Sequence, residues 1–182
     1  MGREEDTGDT DRFALSRRRL LKLALGGGLV LAGAGAAVRS LLGPTPVAAG
    51  LRSLTPREHR TLAALARTHL PRGGAFEAGA EDFDLATAFD GFLENEAPEN
   101  VRDLKRALLL VELGPLLFDH RWVTFSRLED RERLTHWQAW IASDRLLRRQ
   151  VSLAFRKFMA LVFFDRPEVW PHIGYGGPSF AP

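Results

Sequence analysis

Apolar residues recur at three- and four-residue intervals in five separate stretches of this 182-residue chain, and nowhere do they alternate convincingly with polar ones over more than about five residues. Such spacing lays a stripe along a helix and denies a sheet its two-faced strands. The fold expected is therefore all-α, a single small bundle of about five helices. The first opens with Thr55 as N-cap, Pro56 at the first helical position and Glu58 completing a capping box. It carries Leu62, Leu65, Ala66 and Leu70 inward and ends at Pro71 with Gly73 and Gly74. A short second helix runs from Asp84 with Leu85, Ala88, Phe89, Phe92 and Leu93 on one face. Pro98 and Glu99 open a third, whose stripe of Val101, Leu104, Leu108 and Val111 is widened by Leu109, Leu110 and Leu113, which predicts burial on most sides until Gly114-Pro115 breaks it. Leu134, Trp137 and Ile141 mark a fourth, with Glu129, Asp130 and Glu132 in its opening turns. The fifth starts near Ser143, turns Leu147, Val151, Ala154 or Phe155, Phe158 and Val162 inward, and sets Arg145, Arg148, Arg149, Arg156 and Lys157 outside.

Beyond Phe164 the pattern stops. "DRPEVWPHIGYGGP" holds three prolines and, with its closing Gly-Gly, too many turn residues for a helix, yet Trp170, Ile173 and Tyr175 make it too aromatic for a disordered tail. An irregular aromatic arm that lies against something is the expectation.

The amino-terminal end obeys different rules. Arg17, Arg18 and Arg19 stand between an acidic leader and the uncharged run Leu23 to Val38, whose five glycines dilute its hydrophobicity below that of a typical spanning helix. Ser16-Arg17-Arg18-Arg19-Leu20-Leu21-Lys22 resembles the twin-arginine export signal, and Val47-Ala48-Ala49 offers the small residues a signal peptidase inspects, with cleavage expected after Ala49. Residues 1–49 thus read as signal peptide and linker, and residues 50–182 as the folded domain. An ordinary anchor whose arginines follow the positive-inside rule is the competing reading.

Removing residues 1–49 takes seven of the 25 basic and five of the 23 acidic residues, which leaves 18 of each. The body is neutral, so the excess positive charge belongs to the leader and gives no basic face for nucleic acid. The absence of cysteine excludes disulfides, thiolate metal sites, iron–sulfur ligation, covalent haem and a lipoprotein anchor within this chain.

Candidate chemistry is sparse. Glu132 and His136, one helical turn apart, share a face, but no further metal ligands converge with them, and they read as a surface pair. Asp90 and Asp119-His120 lack a nucleophile or partner at fixed spacing, and Asp119 reads as a cap beyond Gly114-Pro115. Gly73-Gly74 and Gly174-Tyr175-Gly176-Gly177 lack the strand-then-helix setting of a phosphate loop. Trp137 reads as core, Trp140 as the cover of a rim or contact surface. Trp122 and Trp170, in loop-like settings, either anchor an interface or pack within the chain.

Several of these stretches together resemble the gluconate 2-dehydrogenase subunit 3 family: Leu54-Thr55-Pro56, Leu62-Ala63-Ala64-Leu65-Ala66 with Leu70-Pro71, then Phe125, Leu128, Arg131 or Arg133, Leu134 and Trp137. Above all, Pro167, Val169, Trp170, Ile173, Gly174, Tyr175, Gly176 and Pro178 of the closing arm carry the likeness. Phe163-Phe164 stands where that family frequently has tyrosine. The resemblance implies a helical small subunit that is not itself an enzyme and holds no cofactor. It binds a large FAD-containing subunit of the glucose–methanol–choline oxidoreductase type and is exported with it to the periplasm by the twin-arginine translocase. A cytochrome c subunit, carrying haem c, often completes such complexes. Partner contacts are then expected at Trp122, Trp140 and the arm residues Pro167, Trp170, Ile173, Gly174, Tyr175, Gly176 and Pro178. The alternatives are a membrane-anchored structural protein that keeps Leu23 to Val38, or a free-standing periplasmic enzyme.

Overall fold

The computed structural model describes residues 39–177, with 41, 44–49, 75 and 76 excepted. The signal residues Ser16, Arg17, Arg18, Leu20, Leu21 and Lys22, the cleavage position Ala49 and the arm's Pro178 lie outside the described residues. The chain divides into two units, Met1–Gly43 and Pro44–Pro182. Of the first, Arg39, Ser40 and Leu42 are helical and end at Gly43, whose left-handed φ of 64° lets its N–H return to the carbonyls of Arg39 and Ser40.

The second unit is all-helical over its described residues, with no strand. Its helices are α1 (Pro56–His69), α2 (Leu85–Leu93), α3 (Pro98–Glu112), α4 (Gly114–Asp119), α5 (Asp130–Ile141) and α6 (Leu146–Phe164). Short 3₁₀ turns at Phe125–Arg127 and Trp170–Ile173 complete it. Among the described residues no helix is long and apolar enough to cross a membrane.

α1 begins as the sequence dictates. The Thr55 hydroxyl accepts the Glu58 N–H at 3.3 Å, while the Glu58 carboxylate accepts the Thr55 N–H at 2.7 Å. Its buried Leu62 and Leu65 make it the central helix, packed by α2, α3, α5 and the first 3₁₀ turn. α6 closes the bundle over α2 and α5, with Phe155, Met159, Val162 and Phe163 buried. Phe89 of α2 meets Phe158 of α6 edge-on at 6.1 Å.

Three expectations are corrected. α3 is not buried on most sides: Leu104, Leu108 and Val111 face the core, but Leu109 is about half exposed. α5 does not enter the core through Leu134, which is exposed; its buried positions are Arg133, His136, Trp137 and Trp140. On α6 the expected stripe enters the core from Val151 onward, joined by Met159, and only Leu147 points out. On α5 the core takes one of two available faces, and the choice depends on neighbours distant in sequence.

Candidate functional site

The arm folds back on the end of α6 through two side chains. Val169 is fully buried in the common core. Trp170 donates its indole N–H to the carbonyl of Phe164 at 3.0 Å, so the ring is half-buried without an orphaned donor. Tyr175 stacks edge-on to Trp170 at 5.3 Å and donates its backbone N–H to the Trp170 carbonyl at 3.0 Å. The return needs Gly174 at φ 69°, a left-handed position where a side chain is strained. Gly177, also left-handed at φ 97°, then passes the Trp170 ring so closely that a Cβ would lie 3.3 Å from it.

Ordering by Val169 and Trp170 leaves other arm residues facing outward. Ile173 and Tyr175 are exposed, as are Pro167, Gly174 and Gly176. Tyr175 and Trp170 share an open concavity of about 660 Å³ with Lys157, Ala160, Leu161 and Phe164 of α6. The surface is mainly apolar, with Lys157 as its cation and Asp165 as its anion. Of the arm residues expected from sequence as contacts, Trp170 and Tyr175 line this concavity, whereas Pro167, Ile173, Gly174 and Gly176 are exposed without lining it. Trp122, 62 % exposed, stands apart from it in the loop after α4. Trp140 is corrected: it is wholly buried, so it covers no rim and offers no contact surface.

The buried His136, Asp90, Glu112 and Arg133 are held by structural partners, whereas among the described residues the buried Thr124 hydroxyl and Trp137 indole N–H have none. His136 lies between Asp119 and Trp140, with Nδ1 2.5 Å from the Asp119 carboxylate and Nε2 accepting the Trp140 indole N–H at 2.9 Å. Those partners fix the tautomer as Nδ1–H and leave no ring nitrogen for proton transfer or a metal. Burial lowers the His136 pKa, the Asp119 carboxylate opposes that, and Arg148 and Arg121 add to the lowering. Asp119 is therefore the orienting partner of a histidine and not a cap, and Glu132 pairs with Arg121 at 2.7 Å instead of with His136.

Asp90 is likewise committed. Its Oδ2 accepts the Arg52 N–H at 2.7 Å, and its Oδ1 accepts those of Ser53 and Leu54 at 3.0 and 2.6 Å. Burial alone raises its pKa, but the three backbone donors outweigh that and hold the carboxylate below its ordinary range. Glu112, also buried, takes both the backbone N–H and the hydroxyl of Ser126 and so fixes the first 3₁₀ turn to α3. Arg133 ties α5 to α1 by donating to the Thr68 hydroxyl at 2.9 Å, to the Leu128 carbonyl at 3.0 Å and to Asp130. Sequence reasoning missed this set, although four polar residues at core-facing helical positions were a readable signal. Among the described residues no group of three or more metal-ligating side chains converges.

Fold and surface together define a small helical protein whose buried polar groups build structure and whose arm presents aromatic residues outward. The chain matches no protein-family model, no curated protein and no solved structure.

Proposed function

We propose that this chain is a non-catalytic accessory subunit that escorts a periplasmic FAD-dependent dehydrogenase of the glucose–methanol–choline type through the twin-arginine pathway, aiding its folding and assembly. Flavin and substrate belong to the large subunit, and a cytochrome c subunit accepts the electrons where one is present. The observation that carries this reading is the apolar surface formed by Trp170 and Tyr175 of the arm beside Leu161 and Phe164 of α6. Contiguous exposed apolar residues mark partner sites. Docking through this arm loses little conformational freedom, because prolines and the Trp170 bond already restrict it. The Ser16–Lys22 motif supplies the route, since that class of signal moves proteins already folded.

The test is export in the native host. Replacing Arg17 and Arg18 by lysine is expected to leave both this chain and the flavoprotein in the cytoplasm. A flavoprotein that reaches the periplasm undiminished, or a native preparation of this chain that is monomeric and flavin-free, overturns the proposal.

A further inference from the structure

α6 carries a second apolar stripe opposite the one that enters the core. Leu146, Gln150, Leu153, Lys157, Ala160 and Phe164 follow one another at alternating intervals of four and three, the spacing that seats one helix along another. Leu146, Leu153, Phe164 and the neighbouring Leu161 are 44–61 % exposed, whereas Phe155, Met159 and Val162 across the helix are buried. One border of the stripe is cationic, with Arg149 and Arg156, and the other passes through Leu147 and Ala154 into a groove of about 560 Å³ between α6, α3 and the end of α2, which Glu96 and Asp103 also line. No aspartate or glutamate occurs in the 19 residues of α6, and among the described residues neither Arg156 nor Lys157 has a carboxylate partner.

We propose that this stripe, continuous with the arm, receives an apolar helix of the flavin-bearing subunit with carboxylates along its Arg149–Arg156 border, one of which meets Lys157; the inference rests on the escort reading above. Charge selects the occupant. A second copy of α6 laid on this face brings Arg149, Arg156 and Lys157 of both chains together along its middle, with Asp144 and Asp165 only at the ends of each helix, which is repulsive where the stripe is longest. A lipid surface fits the cations, but Gln150 and Lys157 interrupt the middle of the stripe, where an interfacial helix keeps unbroken apolar surface. A lone polar residue inside an apolar seam is instead the device that sets register between paired helices.

The experiment places a photo-crosslinking benzophenone side chain at Leu153, Leu161 or, as the control on α3, Leu109, in the full chain expressed with its flavoprotein. Adducts with a flavin-carrying polypeptide are expected from 153 and 161 and not from 109. Lys157→Glu is expected to lower recovery of the complex about tenfold or more, and Lys157→Arg to retain it. Adducts from 109 alone, or adducts from 153 and 161 only with lipid or a second copy of this chain, overturn the docking face. A flavoprotein that co-purifies yet never crosslinks at 153 or 161 overturns this inference and leaves the escort reading standing. A preparation lacking the flavoprotein altogether overturns both.

Discussion

The buried histidine makes stability depend on pH in a direction the geometry fixes. His136 is neutral in the fold because its Nε2 accepts from Trp140, so a proton added there would face the indole N–H donor-to-donor. Its pKa is lowered from 6.5, chiefly by burial. The unfolded chain therefore takes up that proton first. The stabilisation is complete above about pH 6.5 and is lost as pH falls from there toward the folded pKa, by at most about 1.4 kcal/mol per pH unit. Urea unfolding of the full chain, followed by far-UV circular dichroism between about pH 7.5 and 5.5, measures the slope. His136→Gln removes the titration, so its profile should be flatter than that of the native chain while its stability at the upper pH is lower, by about 1–3 kcal/mol for the disturbed buried bonds. Trp140→Phe supplies a sharper check. It strips the donor from Nε2, which should cost about 2–4 kcal/mol in lost bond and lost packing. It should also raise the His136 pKa, since the charged ring no longer opposes an N–H. Proton NMR of the His136 Cε1–H reads that shift directly. A His136 that titrates at or above 6.5 in the native chain, or unfolding slopes equal in the native chain and His136→Gln, refutes the reasoning.

Three further outcomes test the packing. Gly114→Ala puts a Cβ 2.8 Å from His136 Nε2 and 2.9 Å from Trp140 Cζ2, so it should destabilise by about 1–3 kcal/mol in thermal unfolding. Asp90→Asn turns one acceptor of backbone N–H groups into a donor and should cost about 1–3 kcal/mol, seen as faster hydrogen exchange at Arg52. Because the Asp90 pKa is depressed, its contribution is present above the ordinary carboxylate range and is lost as pH falls through its folded pKa, so the variant should also show a flatter acid limb in urea unfolding. Thr55→Ala removes the side-chain half of the capping box and should cost about 1 kcal/mol in the same unfolding assay, with α1 fraying at its start.

The sequence was most legible where the deciding interactions are local. Thr55, Pro56 and Glu58 carry their own partners within one turn, so the start of α1 falls where the capping residues put it, and Pro98 opens α3 for the same reason. Gly114-Pro115 was legible as a break, and the short α4 follows it. α5 was legible as a helix but not in its orientation. Its inward face, Arg133, His136, Trp137 and Trp140, is half polar, and burial of Arg133 and His136 is possible only because Thr68, Leu128, Asp130, Asp119 and Trp140 satisfy them. Only one of those partners lies within four residues of each: Asp130 for Arg133, and Trp140 for His136. A pattern that scores apolar residues alone therefore turns the helix toward Leu134, and the candidate catalytic carboxylates Asp90 and Asp119 become intelligible as anchors only once the donors they hold are seen.

α6 extends that lesson to the surface. Its apolar residues exceed what one face can hold, so periodicity admits two solutions, one through Leu146 and Leu153 and one through Phe155 and Val162. The core of the described unit uses the second, whose line through Phe155 and Val162 points at α2 and α5. The unused stripe could have been broken with carboxylates at little thermodynamic cost, since exposed substitutions scarcely alter stability. It holds leucine, phenylalanine and cations instead. One of the two apolar stripes of α6 is spent on its own chain, and the other keeps Leu146, Leu153, Leu161 and Phe164 at the surface beside Arg149, Arg156 and Lys157.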